Sequence, residues 1–273
     1  MENISDAEFE RIRTYIKQKL GISLSDGKKS LIYSRLRSII KEKDMTNFTE
    51  YFNYLIKDKS GEGITQFIDK VTTNHTYFMR EPEHFDYLKT VVLPYILGSQ
   101  KIARELRLWC AGCSSGEEAY ALQMSINDFL KMRPDKWIAK QWATDISTQV
   151  LDKAKEGVYP KKSVAALPTW WLNEYCVKVD TDNYKISDNI KKQITFQKYN
   201  LMDFRVPFHT RMQIIFCRNV MIYFDPSTRE KVVDTFYNAT EPGGYLFIGH
   251  SESLSHIKTK YRCIKPSVYR KDL

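Results

Sequence analysis

The segment that decides the fold reads Leu106-Arg107-Leu108-Trp109-Cys110-Ala111, followed by Gly112-Cys113-Ser114-Ser115-Gly116. The first part is a short, mostly apolar run, and the second is a loop of small residues. Helical spacing then continues from Glu117 to about Leu130. A buried strand that passes through a small-residue loop into a helix is the repeating unit of open parallel sheets. The segment therefore predicts an α/β domain.

Further strands can be found on both sides along the chain. They are Ile138–Thr144, which ends in Asp145; Ile214–Cys217, which precedes Arg218-Asn219; Tyr245–Gly249, after a Pro242-Gly243-Gly244 turn; and one more in Tyr261–Arg270. Their alternation with helical segments predicts a mostly parallel sheet with helices on both faces. Three short runs fit this scheme poorly: Val177–Val179, Tyr184–Ile186 and Ile194–Phe196. We predict that they form a small antiparallel β-subdomain, at about 175–197.

Residues 1–73 have only helical patterns. Ser5 and Glu8 are predicted to form a capping box at the start of the first helix. Gly21 is predicted to end that helix in the left-handed conformation. Apolar stripes at helical spacing continue through three further segments, the second of which runs from about Lys28 to Lys43. The domains are therefore predicted as an all-helical 1–73 and a sheet domain 74–273.

Composition excludes several classes of protein. With 273 residues, 42% of them hydrophobic and 27% charged, the chain has an ordinary globular composition, which excludes disordered and fibrous classes. No apolar run approaches the roughly 18 residues that span a bilayer. Residues 1–10 lack the basic and apolar regions of a signal peptide. Five cysteines, an odd number, favour reduced thiols. We expect a cytoplasmic protein that is not inserted in a membrane.

The net charge of +9 is concentrated near the N-terminus. Residues 11–43 have ten basic and two acidic side chains, a net charge of +8. Such an excess is compatible with nucleic acid, a membrane surface or an acidic protein as partner, and composition does not choose among them.

The first strand–loop–helix unit is a candidate nucleoside site. Ligands of open parallel sheets bind at the carboxyl ends of the strands, and Asp145, about thirty residues later, could accept hydrogen bonds from both hydroxyls of a ribose. The full glycine fingerprint of NAD sites is absent. Glu117 and Glu118 would repel a pyrophosphate but suit the charged amino-acid end of S-adenosylmethionine, so the pattern favours the methyl donor over NAD.

Other interpretations of these residues stay open. Cys110 and Cys113 have the spacing of a redox or zinc pair, but no second pair accompanies them, which favours a packing role and no metal site. Besides an NAD-linked oxidoreductase, the residues allow an RNA-modifying methyltransferase, suggested only by the net charge, and a non-catalytic sensor of the nucleoside.

Six blocks of the sequence resemble the bacterial chemotaxis receptor methyltransferases of the CheR type. They are TTNHTYFMREPEHF (72–85), LWCAGCSSGEEAYALQM (108–124), ATDI (143–146), NLMD (200–203), FCRNVMIYFD (216–225) and GGYLFIGHSESL (243–254). The blocks occur in the family's order over nearly the whole chain. His75 and Met79 depart from the residues common at their positions.

The resemblance implies a Rossmann-like methyltransferase domain with a β-subdomain behind a helical N-terminal domain. It implies transfer of a methyl group from S-adenosylmethionine to glutamate side chains of chemoreceptors, forming methyl esters and S-adenosylhomocysteine for adaptation in chemotaxis. The implied cofactor contacts are Asn74, Thr76, Arg80, Glu117, Asp145, Asn200, Leu201 and Asn219. Arg80 and Tyr223 are implied at the site of transfer, where we expect Arg80 to orient the incoming carboxylate.

The resemblance also implies a partner. The basic second helix, with Lys28, Lys29, Arg35, Arg37 and Lys41, is implied to contact the cytoplasmic domain of methyl-accepting receptors, so nucleic acid is not expected as a partner. Some relatives also bind a receptor C-terminal pentapeptide through a glycine-containing loop of the β-subdomain. Residues 179–184 here contain no glycine. We therefore predict that this tether is weak or absent.

Overall fold

The computed structural model describes residues 3–99, 104–134 and 136–273. Met1 and Glu2, in the segment compared above with a signal peptide, thus lie outside the described residues. The helices are α1 (Asp6–Leu20), α2 (Lys29–Glu42), α3 (Phe48–Lys57), α4 (Glu62–Val71), α5 (Pro82–Tyr87), α6 (Leu93–Ser99), α7 (Glu117–Lys131), α8 (Thr148–Glu156), α9 (Lys161–Val164), α10 (Thr169–Tyr175), α11 (Asp188–Lys191) and α12 (Pro226–Ala239). The strands are β1 (Glu105–Ala111), β2 (Ile138–Asp145), β3 (Val158–Pro160), β4 (Cys176–Lys178), β5 (Asn183–Ile186), β6 (Ile194–Lys198), β7 (Met212–Cys217), β8 (Thr240–Ile248), β9 (Arg262–Lys265) and β10 (Val268–Arg270).

Helices α1 to α4 bury their apolar stripes in one shared cluster. The capping box at the start of α1 is confirmed, because the Ser5 hydroxyl accepts from the Glu8 amide and the Glu8 carboxylate accepts from the Ser5 amide. Gly21 ends the same helix in the left-handed conformation, as predicted. None of the described helices has the length and apolar character needed to cross a membrane.

The main sheet has the strand order β6-β2-β1-β7-β8-β10-β9. The first five strands are parallel, and the last two are antiparallel additions at one edge. In the central strand β1, Leu108 and Cys110 point into one buried cluster, whereas Trp109 and Ala111 point into another. Both faces of the sheet are therefore covered, which explains why β1 is a nearly continuous apolar run.

The β-subdomain differs from its prediction. Its order is β3-β5-β4, so it extends from Val158 to Ile186 and includes α9 and α10. Ile194–Phe196, predicted to be its third strand, instead belongs to β6, which pairs in parallel with β2 at the edge of the main sheet. A run of three residues, two of them apolar, can indicate a strand but not its partner, and this is why the prediction was wrong.

The end of the chain also differs in detail. The predicted final strand is two strands, β9 and β10, which pair antiparallel. The Pro242-Gly243-Gly244 segment lies inside β8, where the pairing with β7 shifts register, rather than in a turn before the strand.

The helical domain lies on the carboxyl edge of the parallel strands. Ile22 forms an isolated antiparallel bridge with Phe224, and the Ser23 amide donates to the Tyr223 carbonyl at 2.8 Å. The Asn200 amide group donates to the Lys19 carbonyl at 2.8 Å. These contacts place the end of α1 directly over the loops that follow β6 and β7.

Candidate active site

A cavity lies between the helical domain and the carboxyl edge of the sheet. Eight of the nine predicted site residues line it: Asn74, Thr76, Arg80, Asp145, Asn200, Leu201, Asn219 and Tyr223. They come from four separate segments of the chain, and the fold brings them together because parallel strands end at one edge. The helical domain completes the wall with Leu20, Ile22, Leu24, Leu31, Ile32 and Arg35.

The loop after β1 forms the floor of the cavity. The amides of Gly112 and Cys113 both donate to the Thr144 carbonyl, at 2.8 and 2.9 Å. Gly112 has a φ of 80°, and a Cβ at this position would lie 2.4 Å from Cγ2 of Val220. The absence of a side chain at Gly112 therefore leaves room for the side chain of Val220, in the loop after β7.

Asp145 lies at the end of β2 and is nearly buried. One carboxylate oxygen accepts from the Ser114 amide at 2.8 Å, and the other accepts from the Ser147 amide at 3.0 Å. Burial raises the pKa of this carboxyl above its usual range, and the backbone donors oppose that shift. Both oxygens keep a free lone pair, so the carboxylate can still accept from a diol.

The segment between α4 and α5 forms a polar side of the cavity. The Ser114 hydroxyl donates to the Asn74 carbonyl at 2.9 Å, which holds this segment against the loop after β1. Arg80 donates to the His75 carbonyl at 3.1 Å, and its guanidinium lies 5.7 Å from the centre of the Tyr77 ring. Arg80 has no carboxylate partner among the described residues, so its charge is available to an anionic group in the cavity.

Glu117 is the predicted residue that does not line the cavity. Its carboxylate accepts from the Ser115 hydroxyl at 2.7 Å and is nearly buried. The next residue, Glu118, lines the cavity instead and accepts from the Arg218 Nε at 2.6 Å. The sequence could not separate two adjacent acids at a helix start, because the choice depends on which face of α7 meets the cavity.

Arg218 is the centre of a buried polar network at the wall of the cavity. Its Nη1 donates to the Arg80 carbonyl at 2.7 Å, to Glu81 at 3.3 Å and to Nδ1 of His84 at 3.1 Å. Burial, with the nearby Arg218 charge, lowers the pKa of His84 to about 3, so this imidazole is neutral at physiological pH. The 3.4 Å approach of His84 to Glu81 is therefore not an ion pair.

The same network argues against a metal site at Glu81, His84 and His250, whose potential ligand atoms lie within 4.8 Å of one another. Arginine can only donate, so Nδ1 of His84 must accept, and the proton of the neutral ring is then on Nε2. A protonated nitrogen cannot ligate a metal. The guanidinium of Arg218 already occupies the position that a cation would take between Glu81 and His84.

Glu252, in the loop after β8, supports the site, and no sequence pattern pointed to this role. Its carboxylate accepts from the amides of Gly249 at 2.6 Å, Asn219 at 2.9 Å and Ile222 at 3.2 Å. Asn219 has a positive φ of 59°, which is uncommon for a residue other than glycine. Glu252 therefore fixes the strained loop that presents Asn219 and Tyr223 to the cavity.

The cysteine pair has a packing role. Cys110 and Cys113 are both buried, and Cys110 donates to Glu118 at 3.2 Å. Burial raises the pKa of both thiols well above its usual range, which disfavours the thiolate that redox and zinc chemistry require.

Comparison with known families agrees with this geometry. Residues 74–270 match the family described as CheR methyltransferase, SAM binding domain, and residues 7–72 match CheR methyltransferase, all-alpha domain. The chain belongs to the CheR methyltransferase family. Membership confirms the predicted fold class and S-adenosylmethionine as the cofactor, and it removes NAD from consideration.

Three CheR relatives are similar over nearly their whole length. A chemotaxis protein methyltransferase of Borreliella burgdorferi is 40% identical, over 99% of this chain and 96% of that protein. One from Escherichia coli (strain K12) is 33% identical, over 97% and 91%. Chemotaxis protein methyltransferase 2 of Vibrio cholerae is 35% identical, over 94% and 88%. The similarity thus includes both domains and the cavity between them.

Proposed function

We propose that this protein is a protein-glutamate O-methyltransferase that transfers the methyl group of S-adenosylmethionine to glutamate side chains of chemoreceptors, in the cytoplasm. The products are glutamate methyl esters and S-adenosylhomocysteine. The names of the relatives support a role in chemotaxis. The observation that carries the proposal is the convergence of eight predicted site residues on one cavity at the carboxyl edge of the sheet.

The residues present fit the cofactor. Asp145 offers a carboxylate to the ribose, and Asn200 and Leu201 lie where they can flank the adenine. Of the two acids that suit the amino-acid end, Glu118 lines the cavity and offers this contact. Arg218 lines the cavity, and its buried Nη2 has no hydrogen-bond partner among the described residues. A ligand carboxylate would satisfy that donor.

The chemistry requires little of the protein beyond positioning. When bound, the cofactor supplies a methyl group activated by a sulfonium charge. A glutamate side chain has a reference pKa near 4.3, so the nucleophile is already ionised at neutral pH and needs no general base. As the new oxygen–carbon bond forms, the carbon–sulfur bond breaks and the two charges disappear together. A site sheltered from water favours this loss of charge.

We assign Arg80 to the orientation of the incoming carboxylate, and Tyr223 to packing against the site of transfer. Both residues line the cavity, and the Tyr223 carbonyl accepts a hydrogen bond from the helical domain.

Replacement of Arg80 by alanine is expected to lower kcat by about tenfold to a hundredfold, a typical effect of losing a positioning contact. Turnover by receptor methylation and cofactor affinity by calorimetry measure this, with the exposed Arg205→Ala as control. Unchanged turnover together with unchanged affinity would remove Arg80 from this role.

The direct test of the function uses labelled S-adenosylmethionine and a receptor cytoplasmic fragment. We expect label on the fragment that is released as methanol by base, as a glutamate methyl ester requires. Label on RNA instead would favour the nucleic-acid methyltransferase, and cofactor binding without transfer would favour a sensor.

A further inference from the structure

The basic helix α2 has two faces with different surroundings. Arg37 and Lys41 are exposed, and neither has an ion-pair partner among the described residues. Arg35 lies on the inner side, half-buried, and is part of the cavity wall. We had assigned Arg35 to the receptor surface with its neighbours, but its contacts lie inside the molecule.

Arg35 makes three hydrogen bonds to three successive residues at the end of α4. Its Nη1 donates to the carbonyls of Val71 at 2.6 Å and Thr72 at 3.2 Å, and its Nη2 donates to the Thr73 hydroxyl at 3.0 Å. Carbonyls at the end of a helix lack partners within the helix and carry partial negative charge, so a guanidinium is well suited to them.

These bonds act on the segment that enters the cavity. Asn74 follows Thr73 directly, and Thr76 lies two residues further on. On the other side, the Ser114 hydroxyl holds the Asn74 carbonyl. The segment is thus fixed at its start by the helical domain and at Asn74 by the loop after β1. No carboxylate competes for Arg35 among the described residues, so its hydrogen bonds go to this segment.

We propose that Arg35 is a positioning residue for cofactor binding, which fixes Asn74 and Thr76 through the backbone of residues 71–73, and that it does not serve the receptor surface. The proposal rests on the assignment of Asn74 and Thr76 to the cofactor. It makes the helical domain a working part of the cofactor site as well as a recognition module.

The test compares Arg35→Ala with Arg37→Ala, the same change two residues further along the same helix. Calorimetry with S-adenosylhomocysteine is expected to show an increase in Kd of about tenfold for Arg35→Ala, equivalent to about 1.4 kcal/mol. Arg37→Ala should bind as the wild type does. In steady-state assays, Arg35→Ala should raise the KM for S-adenosylmethionine and leave the KM for the receptor fragment unchanged.

Two controls separate positioning from general destabilisation. Lys17→Ala removes a different contact between the domains, the 3.0 Å ion pair with Asp225, and should leave the Kd for S-adenosylhomocysteine unchanged. Arg35→Lys keeps the charge but cannot form the fork of three bonds, so an intermediate Kd is expected. Hydrogen exchange of the ligand-free protein should be faster for the Thr72 amide in Arg35→Ala than in Lys17→Ala.

The outcomes that would overturn the proposal are distinct. A Kd within about twofold of the wild type for Arg35→Ala excludes the positioning role, since that change is only about 0.4 kcal/mol. A raised KM for the receptor alone returns Arg35 to the receptor surface. Asn74→Ala tests the assignment of Asn74 to the cofactor separately from the role of Arg35. If this change leaves the Kd for S-adenosylhomocysteine unchanged, the cofactor assignment itself fails.

Discussion

Glu252 links the loops after β7 and β8, because one carboxylate accepts from three backbone amides. Burial raises the pKa of this carboxyl above its usual range, while the backbone donors oppose the shift. A side chain that satisfies several buried amides is difficult to replace, since each amide left without a partner costs about 1–3 kcal/mol.

We therefore predict that Glu252→Gln lowers both stability and turnover. The glutamine amide keeps the shape but presents an NH₂ group to a backbone donor, so the loop that carries Asn219 and Tyr223 shifts. We expect a lower unfolding midpoint and a fall in kcat of about tenfold, which corresponds to about 1.4 kcal/mol of lost transition-state stabilisation. Glu230→Gln is the control, since that carboxylate accepts from a single amide, of Lys258. Wild-type kcat in a destabilised Glu252→Gln would limit Glu252 to folding.

Residues of this kind mark the limit of prediction from sequence. Asp145 was predictable because it follows a recognisable strand at the edge where ligands bind. Glu252 was not predictable, because a loop carboxylate that accepts hydrogen bonds from backbone amides leaves no local sequence pattern. Glu117 and Glu118 were not distinguishable either, since the capture of Glu117 by the Ser115 hydroxyl is a matter of side-chain geometry.

At the scale of elements, the start of α12 joins the two domains electrostatically. Asp225 caps this helix by accepting from the Thr228 amide at 2.8 Å, and it pairs with Lys17 of α1 at 3.0 Å. The Thr228 amide, followed by Lys17, lowers the pKa of Asp225 to about 2. The unfolded chain would titrate near 3.9.

This shift predicts an acid-dependent contribution to stability. Because the folded pKa lies below the unfolded one, the stabilisation is fully present above about pH 4 and is lost as the pH falls towards about 2. Asn caps helices as well as Asp does but does not titrate. The difference in unfolding free energy between wild type and Asp225→Asn should therefore shrink over this range in urea titrations. Asp234→Asn, in the same helix, is the control, and a difference constant with pH would contradict the prediction.

The turn between β4 and β5 bears on receptor tethering. The Asp180 carboxylate accepts from the amides of Asp182 at 2.7 Å and Asn183 at 2.8 Å, so the turn is closed by its own side chain. No glycine gives the backbone extra freedom there. We predict no micromolar binding of a receptor C-terminal pentapeptide in calorimetry, with a peptide of reversed sequence as control. A micromolar Kd specific to the natural order would contradict this.

Helices and strands were predicted well where burial of side chains set the residue pattern. They were predicted less well where the assignment depended on which strands pair. β1, β2 and α7 were expected within a residue or two of their observed bounds, because each has a strong apolar pattern. β6 was assigned to the wrong sheet, and β3 was not expected at all, since three residues of strand carry no periodic signal. Which strands pair depends on contacts between residues far apart in sequence.

For the molecule as a whole, the basic excess of residues 11–43 is not a uniform surface. Lys29 forms an ion pair with Asp6 at 2.6 Å, and Arg13 forms ion pairs with Glu10 and Asp26. Arg35 donates hydrogen bonds to the end of α4. Of the five residues assigned to receptor contact, Lys28, Arg37 and Lys41 are exposed without an ion pair among the described residues. Lys28 also lines the cavity, so Arg37 and Lys41 are left on the outer surface. They are the stronger candidates for an acidic helical partner.

We predict that Arg37→Glu/Lys41→Glu slows receptor methylation about tenfold at low salt, because complementary charge steers association. The wild-type rate should fall as salt rises, and the variant should respond less. Lys231→Glu/Arg205→Glu, on the methyltransferase domain, makes the same change in charge and should leave the rate unaltered. Equal rates in both double variants would remove α2 from receptor docking.

The bridge between Ile22 and Phe224, together with the wall that α2 contributes, limits how this enzyme could be retargeted. Exchange of the whole helical domain for that of a relative would also exchange one wall of the cavity, with its packing against the loops after β6 and β7. A graft confined to the outward positions of α2 would change the surface that we propose meets the receptor and leave the wall of the cavity intact. The helix thus has two separable sets of positions for an engineer, one that lines the cavity proposed for the methyl donor and one that faces the proposed protein partner.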